Sequence, residues 1–192
     1  MYRFSLSSFL AAVGLIIAAI EPIAFSQPEA RDVLERFCEL DAQGDQLNPE
    51  DRQEIVALFV SPGAPRLDQI IVVRDFVVSH PAFEKGRAEF YVEYVQLGQI
   101  SVSLARFSRL PPLKVRAGFD LLPSAKPDEV GPGGKGTHVV GPTGWRIEGS
   151  PREPHLTVDA AIRYAAELRA KTPDAAIRKN AEKTIAALKR LQ

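Results

Sequence analysis

The spacing of apolar residues along this chain of 192 residues changes its period twice. Apolar side chains recur about every 3.6 residues through residues 28–43, as in an amphipathic helix. Through residues 87–97 they alternate with polar ones, as in a strand with one buried face. The helical period returns at Thr157. Helices and strands segregated in this way predict an α+β fold rather than alternating α/β units.

Two helices are predicted before the strands. The first covers residues 28–43 and ends at Gly44, a good C-terminal cap. The second begins at Asn48-Pro49, because Asn caps a helix N-terminus and Pro suits the first turn. The sequence Ser-Pro-Gly at residues 61–63 ends it.

A curved antiparallel sheet of about four strands is predicted next, over residues 69–79, 87–97, 114–122 and 144–148. Residues 81–86 read as a turn, which would make the first two strands a hairpin.

Prolines, a glycine and a short additional segment affect the predicted strands. Leu110-Pro111-Pro112 is expected to precede the third strand, and Gly118 is a candidate bulge within it. Residues 138–140 could pair with the last strand.

Two helices are predicted after the sheet. The first begins at Thr157, and Thr172-Pro173-Asp174 begins the second. Residues 157–192 should therefore form an αα-hairpin.

The first 26 residues have the features of a secretory signal peptide. Arg3 precedes an apolar run at residues 9–20, and Ala24-Phe25-Ser26 has small residues at the two positions that a signal peptidase reads. We expect cleavage after Ser26 and export to the periplasm or outside the cell, with no membrane span remaining. An uncleaved anchor is the alternative. The predicted domains are therefore a signal peptide at 1–26, an α+β domain at 27–156 and a helical hairpin at 157–192.

The charges of this chain are balanced overall but divided between its ends. The formal net charge is zero, which argues against a nucleic-acid partner. Residues 28–60 hold nine acidic and three basic residues, whereas residues 160–192 hold eight basic and three acidic ones. Three explanations remain open: contact between the two ends, docking of the basic end on an anionic surface, or two unrelated solvated faces.

Common catalytic and metal-binding motifs are absent from the sequence. Residues 131–136 match G-x-G-x-x-G, but Pro132 removes one N–H group and no helix pattern follows, so a turn is expected. The three histidines share no ligand spacing, and we predict neither a metal nor another cofactor. Asp75 could orient His80 so that the histidine acts as a general base. However, the odd spacing of the two residues on a strand favours opposite faces of the sheet. The lone Cys38 cannot form an intrachain disulfide and is expected to be buried and unreactive.

Three residues are candidates for a ligand pocket beside the sheet. Tyr94 and Trp145 could form an aromatic wall, and Arg146 could hold an anion. Aromatic residues at alternating strand positions are also typical of a plain core, so both interpretations stay open.

The order of two helices at residues 31–59 and a curved sheet at residues 69–148 resembles the NTF2-like (SnoaL-like, cystatin-type cone) superfamily. This resemblance implies a conical pocket between helix and sheet. Members of that superfamily include isomerases, dehydratases, ligand-binding proteins and many exported proteins. No catalytic residue is carried over, because no position here matches a motif of the family.

The leading functional hypothesis is an exported, non-catalytic domain that binds a small ligand or a partner protein of the cell envelope. The alternative is a small cofactor-free enzyme of the cone-fold type, an isomerase or hydrolase that uses an acid or a histidine of its pocket. A third hypothesis makes residues 157–192 a helical docking element.

Overall fold

A computed structural model describes residues 27–61, 67–84, 86–123, 144–149 and 152–192. The predicted signal peptide, the glycine-rich residues 131–136 and the strand predicted at 138–140 lie outside these ranges. The described residues form an α+β fold, as predicted, with these elements: α1 Gln27–Gln43, α2 Arg52–Ala57, β1 Gln69–Val78, β2 Ala82–Glu84, β3 Arg87–Ser101, β4 Arg106–Pro123, β5 Trp145–Ile147, β6 His155–Thr157, α3 Val158–Lys171 and α4 Ala175–Leu188.

The strands form one strongly curled sheet, a half-barrel, with the order β5-β4-β3-β1-β6 and β2 beside β3. Two corrections apply to the predicted sheet. It has six strands among the described residues instead of about four, and β6 runs parallel to β1, so the sheet is mixed. Strand β5 lies within the predicted residues 144–148. Strands β2 and β6 have three residues each, which is too short for an alternating pattern to mark them.

Strand β4 begins earlier than predicted because its two prolines lie in a bulge. The ladder joins Gln96 to Leu113 and then Gly98 to Arg109, so residues 110–112 lie opposite Leu97 alone. Pro111 and Pro112 have no N–H to donate, and a bulge does not require one.

The bulge predicted at Gly118 is wrong. Gly118 pairs with Tyr91 in regular register. The strand predicted to start at residue 114 starts at Arg106.

Strand β1 is buried on both faces. Val73 packs with α1 and α2 on one face, with Ile71 beside it. Ile70 and Val72 pack with α3 and α4 on the other face. A strand covered on both faces reads as a continuous apolar run, which explains the sequence Ile-Ile-Val-Val. Fully burying each such side chain stabilises the fold by about 1.5–3 kcal/mol.

Local side chains set most of the helix ends. Gly44 has φ +95° and donates its N–H to the carbonyl groups of Leu40 and Asp41, which closes α1 as predicted. Thr157 and Asp174 cap α3 and α4 with their side-chain oxygens, also as predicted. The second helix starts later than predicted, at Arg52, because the Asn48 side chain accepts from the N–H of Glu50 in a preceding turn.

In the part of the chain described here, no helix is both long enough and apolar enough to cross a bilayer.

Candidate functional site

A buried carboxylate at the end of α1 holds the first residue of β6. Asp41 is 1 % exposed, and the backbone N–H of His155 donates to both of its oxygens at 3.1 Å. Nδ1 of His155 lies 3.3 Å from Oδ2 of Asp41. The carboxyl group of Asp41 therefore contacts both the backbone and the ring of His155 and fixes the orientation of the imidazole.

Two more side chains of α1 and β3 complete this cluster. The ring of His155 stacks on Tyr94, with centroids 4.2 Å apart and planes 14° apart. The hydroxyl of Tyr94 lies 3.8 Å from the Sγ of Cys38. Burial raises the pKa of Cys38 to about 12 and raises the pKa of Tyr94 as well. Cys38 is thus a buried, protonated thiol, and its predicted burial is confirmed.

Sequence reasoning missed Asp41, although a signal was present. Leu34, Cys38 and Asp41 follow one another at four and three residues, which places the acid on the apolar face of α1. A carboxylate on that face requires a buried partner, because an unpaired buried charge is strongly unfavourable. The partner lies 114 residues further along the chain.

Gln46 extends the cluster towards the loop after α1. It is fully buried, and its Nε2 donates to Oδ1 of Asp41 at 2.6 Å. Burial raises the pKa of Asp41, and the hydrogen bonds from His155 and Gln46 oppose that rise. The backbone carbonyl of Gln46 accepts from Nε of Arg52 at 2.9 Å, which fixes the loop against α2.

A groove of about 630 Å³ lies between this loop and α3. We call it the α1–α3 groove. Residues 43–45 and 47–51 form one side, α3 forms the other, and Leu156 of β6 lies between them. Its chemistry is set mainly by these side chains: Asp45, Asp51, Leu156, Arg163, Tyr164 and Lys171.

The two sides of the groove differ in charge. The loop side holds three acids, Asp45, Glu50 and Asp51. The α3 side holds Arg163, Lys171 and Glu167, and Nζ of Lys171 pairs with Oε2 of Glu167 at 3.0 Å, so Arg163 is the cation of that side without a carboxylate of α3 beside it. Burial raises the pKa of Asp45, the carboxylates of Asp51 and Glu54 raise it further, and the guanidinium groups of Arg36 and Arg163 oppose that rise. Arg163 therefore attracts Asp45 across the groove.

The groove and the buried cluster share strand β6. Successive residues of a strand point to opposite faces, so His155 faces Asp41 while Leu156 faces the groove. The Thr157 hydroxyl donates to the carbonyl of Ala42 at 3.1 Å, and Nη2 of Arg163 donates to the carbonyl of Gln43 at 3.3 Å. These bonds satisfy carbonyl groups at the end of α1 and fix the two sides of the groove relative to each other.

The predicted ligand-pocket residues do not meet in one place. Tyr94 is buried in the cluster described above. Trp145 pairs with Pro123, eight residues along β4 from the partner of Tyr94, or about 26 Å along the strand. Trp145 is buried with its ring 6.0 Å from that of Phe83, and Nη1 of Arg146 donates to the carbonyl of Ala57 at 2.9 Å.

Other candidate groups from the sequence lie at the surface. Asp75 and His80 are both exposed. Among the described residues, no group of three or more His, Cys, Asp or Glu side chains has the arrangement of a metal site.

Comparison of the chain with protein-family models, with curated proteins and with solved structures finds no match.

Proposed function

We propose that this protein is an exported binding domain that holds a small ligand in the α1–α3 groove. The opposed charges of the groove's two sides are the observation that carries this proposal. They favour a zwitterionic ligand, whose cationic group faces Asp45 and Asp51 and whose anionic group faces Arg163. The proposed activity is binding without chemical change.

The size and lining of the groove support this proposal. Small-molecule sites usually enclose about 300–1,000 Å³ and combine an apolar surface with a few polar groups. Here Leu168 and the half-buried ring of Tyr164 supply the apolar surface, and the charged side chains would orient the ligand. Burial raises the pKa of Tyr164, so its hydroxyl is a neutral donor at physiological pH.

The hydrogen bonds behind the groove also support a binding role. Asp41, Gln46 and Thr157 tie the loop, α1 and β6 together. A site whose sides are held before the ligand arrives loses less conformational entropy on binding.

We keep the NTF2-like assignment as part of the proposal, supported by the order of α1, α2 and the curled sheet. The conical pocket implied by that resemblance would lie between α1 and the sheet. Leu34, Phe37 and Phe90 occupy that space as core, and the α1–α3 groove lies outside it.

Thermal unfolding with a small panel of ligands tests the binding proposal. Glycine betaine and γ-aminobutyrate represent zwitterions, putrescine a cation alone and succinate an anion alone. We expect a zwitterion to raise Tm more than either simple ion does. The stabilisation should increase with the ratio of the ligand concentration to Kd, because the ligand binds only the folded state. The double variant Glu50→Gln/Asp51→Asn should lose that shift, whereas Glu182→Gln, an exposed acid on α4, should keep it. Equal shifts in both variants would reject the groove as the site.

Export is tested separately, by the mass of the protein isolated from its own host. Cleavage after Ser26 leaves Gln27 as the first residue. A chain that keeps Met1 in the cytosol would contradict export.

One observation favours catalysis as a second candidate. A carboxylate that fixes Nδ1 of a histidine leaves Nε2 to act as a general base, as Asp41 and His155 are arranged. The reaction would be a cofactor-free isomerisation or hydrolysis. Assays of the wild type and of His155→Asn against ester and enolisable ketone panels test it. Loss of about 10²-fold or more in the variant supports a base, and equal rates exclude it.

A further inference from the structure

We propose that α4 and the adjoining β3–β4 turn bind an anionic lipid surface. This inference is independent of the α1–α3 groove. It uses three features of the described chain: a cationic stripe on α4, an exposed leucine beside it, and hydrogen bonds that hold the two together.

The cationic stripe consists of Lys179, Lys183 and Arg190, which follow one another at four and seven residues on α4 and at its C-terminal end. That spacing places Lys179 and Lys183 on one side of the helix, and Arg190 lies in the turn directly after its end. All three are exposed, and none forms an ion pair within the residues that the structure describes. The single carboxylate of α4, Glu182, follows Arg178 by four residues and Lys179 by three.

The orientation of this stripe is fixed by the opposite face of α4. Ala181, Thr184 and Leu188 are buried there against the sheet and α3. The cationic side chains therefore point away from the protein, and turning them inward would remove that face of α4 from the core.

Leu104 presents an apolar side chain next to the stripe. It lies in the turn between β3 and β4 and is 54 % exposed. Nδ2 of Asn180 donates to the carbonyl of Leu104 at 3.0 Å. Asn180 adjoins Lys179 in sequence and lies one turn from Lys183, so the leucine borders the cationic stripe.

The turn is rigid enough to keep Leu104 outside. The hydroxyl of Thr184 donates to the carbonyl of Ala105 at 2.8 Å and accepts from the N–H of Phe107 at 2.9 Å. Ala105 has φ +50°, a conformation that side-chain-bearing residues rarely adopt. Exposed Arg106 follows and adds a fourth cation near the leucine.

This combination selects a lipid surface over a soluble polyanion. Cationic side chains are attracted electrostatically to an anionic bilayer. An apolar side chain beside them adds binding free energy when it enters the membrane interface. A soluble polyanion would contact the cationic side chains but would offer Leu104 no apolar surface. The segregation of charge also orients the molecule, because the acidic helices α1 and α2 would be repelled by the same surface.

Co-sedimentation of the protein with vesicles tests the proposal. Vesicles of phosphatidylcholine with and without phosphatidylglycerol are compared at low and at physiological salt. We expect binding only with phosphatidylglycerol, weakened by salt. The variant Lys179→Glu/Lys183→Glu/Arg190→Glu should bind at least about 100-fold more weakly, since each of the three cations contributes about fivefold. Arg169→Glu, an exposed base of α3 outside the stripe, should change binding by less than the triple variant does.

Leu104→Asn separates the two kinds of anionic partner, because it removes the apolar side chain without changing the charge. It should weaken vesicle binding and leave binding to immobilised heparin, a soluble polyanion, unchanged. Thermal unfolding of each variant confirms that it is folded, and Lys179→Gln/Lys183→Gln provides a milder change if the triple variant is not. Absence of vesicle binding by the wild type, an unaffected Leu104→Asn variant, or equal losses from Arg169→Glu and the triple variant would each overturn the proposal.

Discussion

Asp41 binds both the backbone N–H and the ring Nδ1 of His155, at 3.1 Å and 3.3 Å. One buried carboxylate thus anchors β6 to α1 and orients an imidazole ring. Since the same strand also lines the α1–α3 groove through Leu156, the geometry of the proposed site depends on this contact.

The first prediction concerns the pH dependence of stability. Burial raises the pKa of Asp41 in the folded chain above its ordinary value of 3.8. The folded state therefore binds this proton more strongly than the unfolded state does. The stabilising contribution of protonation is fully present below pH 3.8 and is lost as pH rises through the folded-state pKa.

In Asp41→Asn the amide cannot ionise, so this pH dependence disappears. We expect the free energy of unfolding of the wild type, minus that of Asp41→Asn, to decrease as pH rises from about 4 towards 7. Denaturant unfolding at several pH values measures it. Asp32→Asn, an exposed acid of the same helix, should show no such trend. A difference that grows with pH would show that the carboxylate is favoured in the fold.

Gly98 is predicted to tolerate no side chain. A Cβ at this position would lie 2.5 Å from Cε2 of Phe107 and 2.5 Å from the carbonyl oxygen of Ser108. Gly98→Ala should therefore destabilise the protein by about 1–3 kcal/mol, as overpacking does. Gly118→Ala is the matched control, because its Cβ would lie 3.6 Å from Tyr91, an ordinary contact. Similar denaturant midpoints for the two variants would contradict the close approach at Gly98.

Thr184 is predicted to stabilise the β3–β4 turn through its hydroxyl. Thr184→Val keeps the side-chain shape but leaves the N–H of Phe107 and the carbonyl of Ala105 without their partner. Unfolding measurements should show a loss of about 2–3 kcal/mol. Thr184→Ser keeps the hydroxyl and should lose only about 1 kcal/mol, the value of one buried methyl group. Equal losses would mean that the methyl group, and not the hydrogen bonds, holds the turn.

Cys38 is predicted to resist thiol reagents in the native protein. With a pKa of about 12, only about one thiol in 10⁴ is ionised at pH 8, and the side chain is 1 % exposed. Labelling by a maleimide should proceed at the rate of unfolding, and it should be rapid in guanidinium chloride. Rapid labelling of the native chain would place the thiol at the surface.

Features set by neighbouring residues could be predicted from the sequence. Gly44, Thr157 and Asp174 end or begin helices through contacts within a few residues, so their roles are visible locally. The alternation through residues 87–97 likewise marks β3, because one face of that strand is covered by α1.

Features that depend on distant partners could not be predicted. Strand β6 has three residues and exists because β1 lies beside it, which no local pattern shows. The prolines of β4 read as a break because the bulge that accommodates them is formed with Leu97 of β3. The pairing of Asp41 with His155 and the opposed sides of the groove join segments more than 100 residues apart.

Native mass spectrometry of the protein isolated from its own host tests the groove most directly. We predict that the wild type carries one small zwitterionic molecule per chain and that Asp51→Asn/Arg163→Gln, isolated in the same way, carries none. A control variant, Glu182→Gln, should keep the molecule. A wild type at the mass of the chain alone, or the same added mass in the groove variant, would contradict a ligand site between residues 43–51 and α3.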